Sequence, residues 1–126
     1  MVVLWVAVAG ALGALARWGL GVWLGQRLGI GFPWGTLAAN LTGCFLIGVV
    51  MEATERVGWL PAPTRLVLAV GFIGTLTTFS TFQFETFQLA RRGAVLLGAV
   101  NFAANVLFGY LLLWAGGALV ARLVRG

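Results

Sequence analysis

The sequence predicts an all-α membrane protein with four transmembrane helices in one domain, residues 1–126, and three observations carry that expectation. Hydrophobic residues make up 61% of the chain and charged residues 9%, a balance too apolar for a water-soluble domain. Apolar runs of about 20 residues, the length a helix needs to cross hydrocarbon, alternate with short segments that hold the prolines and most of the charges. Trp5, Trp23, Trp34, Trp59 and Trp114 fall near the ends of those runs, as an aromatic belt at the membrane interface places them; Trp18 is ambiguous.

The first span runs from about Val2 to Leu24, with Arg17 near its end, where the side chain can snorkel to the interface. Gly10, Gly13, Ala14 and Ala16 give it small residues at helical spacing, which lets another helix approach closely. After the loop GQRLGIGFP, Pro33 suits the first turn of a second helix, about Trp34 to Met51. Thr36, Asn40, Gly43 and Ile47 share one face of that helix, small and polar at mid-membrane depth. Glu52, Glu55 and Arg56 return the chain to water, and Thr64 is the expected N-cap of a third helix, about Arg65 to Ala90. Arg91-Arg92-Gly93 is a turn short enough to require an antiparallel neighbour, the fourth span, about Ala94 to Leu119. That span carries Asn101, Asn105 and Gly109 on one face.

The charges exclude several functions. All eight basic residues are arginine, spread singly or in pairs, so there is no basic face for nucleic acid. With no histidine and one cysteine, Cys44, neither a metal-ligand cluster nor a nucleophile–base pair can be assembled, and an enzyme is the least favoured class. Cys44 reads as a small buried hydrophobe. The first charge is Arg17, so neither a cleaved signal peptide nor an attached soluble domain is expected. Arg56, Arg65, Arg122 and Arg125 fall on one side of the membrane and Arg17, Arg27, Arg91 and Arg92 on the other, four against four. The positive-inside rule then prefers neither orientation, which suggests insertion both ways and pairing as an antiparallel dimer.

Function concentrates in Gly71–Glu85, GFIGTLTTFSTFQFE, which is too polar for its depth in the membrane. Gly71 and Gly74 predict a helix break from Gly71 to Thr77, whose freed backbone carbonyls suit a cation. Thr77, Ser80 and Thr81 form a ladder of hydroxyls, provided helix resumes there, and donors of this kind favour an anion. The alternative for each hydroxyl is a bond back to the carbonyl one turn earlier. Phe79 and Phe82 adjoin Ser80 and Thr81, and a ring edge carries positive quadrupole that can meet a small anion. Asn40, Asn101 and Asn105 are each explicable as helix–helix glue, yet together they look like the lining of a polar path.

These residues carry a family resemblance. GALGALARW at Gly10–Trp18, GTLAANLTGCFLIG at Gly35–Gly48 and GFIGTLTTFSTFQFE at Gly71–Glu85 resemble the bacterial fluoride channels of the Fluc (CrcB) family over nearly the whole chain. The resemblance implies an antiparallel, dual-topology homodimer in the inner (cytoplasmic) membrane, with two fluoride pores that each draw on both subunits. It implies that Asn40 lines the pore, that Phe79 and Phe82 meet fluoride edge-on, and that Ser80 and Thr81 belong to the polar track beside them. Gly74 and Thr77 match positions whose carbonyls hold a central structural sodium ion, Arg17 matches a vestibule arginine, and Glu85 matches a glutamate on the pathway. The departure lies in the fourth span, where Asn101 and Asn105 stand in place of the family's usual tyrosine and serine.

The reading that follows is passive, fluoride-selective export through the lipid bilayer. The competing reading, a small proton-coupled transporter, needs a carboxylate well inside the membrane, and only Glu85, near a span end, is available. A non-conducting assembly subunit would account for the small-residue faces but not for the clustered donors.

Overall fold

A computed structural model describes residues 1–58 and 60–125; the belt position expected at Trp59 lies outside the described residues. Four helical spans, Val2–Leu28, Trp34–Val57, Ala62–Arg91 and Val95–Arg125, are each long and apolar enough to cross a membrane. The helices overrun the expected boundaries into the flanking loops, because only the middle of each must be apolar while the ends sit in the headgroup region.

The first span is one helix, α1 (Val2–Leu28), and the second is α2 (Trp34–Val57), with Pro33 at its N-cap. Gly58 closes α2 in the left-handed conformation at φ 60°, its N–H donating to the Thr54 carbonyl. Glu52 and Arg56 pair one turn apart near that exposed end.

The third span is composite. α3 (Ala62–Leu66) begins after Pro61, with Pro63 in its first turn. Thr64 is therefore inside the helix and not its N-cap; with Pro61 at the N-cap and the fixed φ of Pro63 in the first turn, the helix starts three residues earlier than a Thr64 cap would start it. A widened π-helical stretch covers Val67–Ile73, α4 (Gly74–Leu76) completes one α-turn, and α5 (Phe79–Arg91) follows the interruption. The fourth span is α6 (Val95–Ala103), a second π stretch at Ala104–Phe108, and α7 (Gly109–Arg125). The expected antiparallel turn between α5 and α6 is present, with Gly93 at φ 81°.

The interruption differs from expectation in place and cause. The chain stays helical through Gly71 and Gly74 and becomes extended only at Thr77 (ψ 155°) and Thr78 (φ −151°, ψ 117°). Thr77 thus lies in the break itself and Ser80 and Thr81 after it, so the three hydroxyls do not form one helical ladder. Gly71 serves proximity instead: a Cβ there would lie 2.8 Å from the Ala9 methyl.

Packing relies on such approaches, because lipid supplies no hydrophobic drive between helices. A Cβ on Gly13 would stand 2.2 Å from Thr75 Oγ1 and 2.3 Å from the Phe72 carbonyl oxygen. The α2–α7 pair interlocks reciprocally: a Cβ on Gly48 would meet the Leu113 oxygen at 2.1 Å, and one on Gly116 the Phe45 oxygen at 2.2 Å. α1 lies against α2 and the first half of the third span, while α5 lies against α6. Trp5, Trp18, Trp23, Trp34 and Trp114 are all exposed on the chain's outer surface.

Candidate functional site: the break in the third span

The break exists because side chains from α2 and from the break itself take the backbone groups that a continuous helix would pair. Thr78 N–H donates to Asn40 Oδ1 at 2.8 Å, and Asn40 Nδ2 donates to the Thr78 carbonyl at 3.2 Å. One carboxamide therefore grips both polar groups of one extended residue, as a neighbouring strand would. Thr78 is also the N-cap of α5: Thr81 N–H donates to Thr78 Oγ1, and the Thr78 hydroxyl donates to Thr81 Oγ1 at 3.0 Å. In an unbroken helix the N–H groups of Thr78 and Thr81 would bond to the carbonyls of Gly74 and Thr77. With both N–H groups redirected, those two carbonyls are released at the C-terminal end of α4.

The hydroxyls divide into two sets. Thr75, Thr77 and Thr86 donate back to the carbonyls of Gly71, Ile73 and Phe82, the local bond common in membrane helices. Ser80 is exposed, and Thr81 accepts from Thr78 while keeping its own proton. These two are the free hydroxyl donors at the break, and they sit on the N-terminal turn of α5, the positive end of that helix dipole.

A groove of about 400 Å³ opens at the break, lined by Asn40, Cys44, Thr78, Phe79, Phe82 and Asn105 among others; Ser80 and Thr81, one and two residues beyond Phe79, are not part of its lining. Phe82 is 3% exposed and Phe79 is 73% exposed; their rings meet edge-on, 5.7 Å between centroids, and Phe82 also packs on Phe102. Cys44, expected to be buried, is half-buried in the groove wall, and a Cβ on Gly109 would stand 3.2 Å from its sulfur. The asparagines are joined: Asn40 Nδ2 donates to Asn105 Oδ1 at 2.8 Å, and Asn105 Nδ2 donates to Asn101 Oδ1 at 3.1 Å and to the Asn101 carbonyl at 2.9 Å. Asn101 is 0% exposed, and its own Nδ2 donates to Thr86 Oγ1 at 2.8 Å.

Midway along α5, Glu85 Oε1 accepts from the Thr36 hydroxyl at 2.9 Å, while Oε2 is enclosed with no partner among the described residues. Both residues line a second cavity of about 320 Å³, walled by Gly21, Gly25, Gly35, Gln88 and Arg92. Arg17 is half-buried on α1 and lines neither cavity. The structure thus gathers Asn40, Phe79, Ser80, Thr81, Phe82, Asn101 and Asn105 around the break with Thr77 and Gly74 at its start, and leaves Arg17 apart. Sequence reading missed Thr78, which cap and clamp both need, and Thr86, which anchors Asn101. Thr78 carried a signal, since threonine is a favoured N-cap type where a helix resumes; Thr86 carried none, because the sequence does not say which hydroxyl a buried amide will meet.

Residues 4–117 match the family described as "CrcB-like protein, Camphor Resistance (CrcB)". The chain belongs to the CrcB family. Similar proteins of this family carry the name "Fluoride-specific ion channel FluC". That of Acidobacterium capsulatum is 46% identical over 121 residues, covering 96% of this chain and 97% of its own length. That of Geobacter metallireducens is 47% identical over 111 residues, 88% of this chain and 90% of its own. That of Rhizobium etli is 41% identical over 119 residues, 94% and 95%. The CrcB match reaches from α1 well into α7, so it holds the second and third spans whole and most of the first and fourth.

Proposed function

We propose that this chain is a fluoride-selective ion channel that lets the anion leave the cytoplasm passively across the inner membrane. The observation that carries it is the division of labour at the break: a cluster of uncharged donors on the N-terminal turn of α5, beside aromatic edges, within a family whose members are named fluoride channels. The protein is accordingly a channel and not an enzyme. Fluoride holds its water tightly, so a selective path must replace several water contacts at once. Ser80 and Thr81 supply hydroxyl protons, and Phe79 and Phe82 supply ring edges. Asn40, Asn105 and Asn101 form the amide wall behind them, and Glu85 stands farther along α5, with Arg17 at the vestibule.

The lone chain is incomplete as a conductor. Phe79 and Gly74 are exposed on the face that bears the released carbonyls, and hydrocarbon satisfies neither. A second copy in the opposite orientation covers that face, and the even split of arginines permits the inversion. Two such copies form two pores. The residues at the dimer axis fit a sodium ion: the carbonyls of Gly74 and Thr77 are hard oxygen donors freed of helical partners, at the negative end of a short helix. Bound there, sodium offsets that partial charge and ties the copies together; it does not permeate.

The deciding experiment is fluoride efflux from liposomes containing the purified protein. Rapid efflux driven by voltage, with no proton gradient imposed, is the expected result. Efflux that appears only with a proton gradient would replace the channel by the proton-coupled transporter.

The sodium reading has its own outcome. Exchanging sodium for N-methylglucamine in detergent removes a ligand of the folded dimer, a loss of about 2.7 kcal/mol where sodium had stood at 100 times its dissociation constant. The thermal midpoint should therefore fall and the dimer peak on size exclusion should shift toward monomer. A midpoint indifferent to sodium from zero to high concentration would exclude the site.

A further inference from the structure

The hydrogen bonds that join the break to the fourth span run in one direction, and their two ends fix it. A backbone N–H can only donate and a carbonyl can only accept. Thr78 N–H therefore turns Asn40 so that its oxygen faces the break. The amide nitrogen of Asn40 then has two protons, one for the Thr78 carbonyl and one aimed at Asn105, which must present its oxygen. That choice turns the nitrogen of Asn105 onto Asn101, and the nitrogen of Asn101 onto Thr86. The Thr86 hydroxyl finally donates to the Phe82 carbonyl at 2.8 Å. Reversing Asn40 or Asn105 would set donor against donor at one neighbour and acceptor against acceptor at the other, and reversing Asn101 would set its nitrogen against that of Asn105 and draw the Thr86 proton away from the Phe82 carbonyl.

Two consequences bear on the ion path. Both N–H groups of Asn40 and both of Asn105 are already engaged within the protein, and Asn101 is fully buried. The π stretch Ala104–Phe108 contains Asn105, and the widened backbone there accompanies its reach back to the carbonyl of Asn101. The geometry points to Asn105 as a positioning residue: oriented through Asn101 and Thr86, it holds the Asn40 amide against both the N–H and the carbonyl of Thr78, and so fixes the extended break that presents Phe79 and Ser80. Asn105 acts through Asn40 and not on the anion. The inference rests on the channel reading only for what passes the break; the latch itself is a property of the apo chain.

The test pairs two measurements on the full-length protein in liposomes: fluoride efflux, and hydrogen–deuterium exchange of peptides covering Leu76–Phe82. Asn105→Leu leaves the second N–H of Asn40 without an acceptor, and exchange at the break is expected to rise about tenfold, with efflux falling by a similar factor. Thr86→Val, nearly isosteric and outside the groove lining, is expected to move both readouts in the same direction by about threefold, since it only releases the far end of the relay. The double variant should be no worse than Asn105→Leu alone, because links in one chain are not additive. Should Asn105→Leu fail to run as a single species, Thr86→Val and Asn101→Leu still decide the matter. Efflux that falls while exchange stays at the wild-type rate would put Asn105 on the ion path itself and overturn the proposal, as would independent, multiplying effects in the double variant. A wild type that conducts no fluoride would refute the channel reading and leave the exchange result to judge the latch.

Discussion

Phe82→Ile lowers fluoride efflux from liposomes by between about tenfold and 100-fold while the protein still runs as a single folded species. The range follows from two losses. The edge-to-face contact with Phe79, worth about 0.5–1.5 kcal/mol, disappears, and Phe79 loses the surface that orients it. On the proposed path the ring edge facing the anion disappears with it, and each 1.4 kcal/mol in the barrier is about tenfold in rate. Isoleucine fills most of the same space, so the buried packing against Phe102 is weakened more than abolished. Efflux within twofold of wild type would show that this ring is scaffolding and that the anion passes elsewhere.

Gly48→Leu yields no stable protein. A Cβ alone would stand 2.1 Å from the Leu113 carbonyl oxygen and 3.0 Å from its carbon, and neither is the flexible end of a side chain. Overpacking of this kind costs about 1–3 kcal/mol per site even when only methylenes are added. Here the α2–α7 crossing would have to open, releasing the matching contact at Gly116. The expected result is aggregation on extraction into detergent, and Gly48→Ala should lower the thermal midpoint measurably. Gly19→Ala is the contrast, because no heavy atom beyond its chain neighbours and its own helix backbone lies within 4 Å of where its Cβ would be. A Gly48→Leu protein as stable as wild type would mean that the crossing is looser than drawn.

Much of this was written in the sequence, and the misses have a common origin. Four spans, the proline at the start of α2 and the tight turn at Gly93 follow from hydropathy and local chemistry. The polar face Thr36, Asn40 and Gly43 is real and faces the third span throughout: Thr36 meets Glu85, Asn40 meets Thr78, and a Cβ on Gly43 would lie 2.1 Å from the Thr77 methyl. The break was expected at the glycines because glycine is the residue that permits one. Its cause is a side chain on another helix competing for backbone bonds, and local propensity carries no record of that. Gly71 and Gly13 are small so that helices can touch, a requirement indistinguishable in sequence from conformational freedom. The order of the amide relay was equally out of reach, since three asparagines in a membrane announce pairing but not partners.

The π stretches have a consequence for chain length. A π turn is, in effect, an α-helix holding one residue more than its rise requires. Val67–Ile73 lies one short turn before the break and Ala104–Phe108 surrounds Asn105, so each site has at or near it a place where the count of residues and the count of turns disagree. A chain shortened by one residue within either stretch can tighten to an ordinary helix and still deliver Thr78 opposite Asn40, or Asn105 beside it. The same deletion in α1 or α2, which hold no such slack, would rotate everything beyond it by about 100°, the angle per residue of a helix with 3.6 residues per turn. Tolerance to the loss of a residue is thus concentrated next to the most exacting geometry in the molecule.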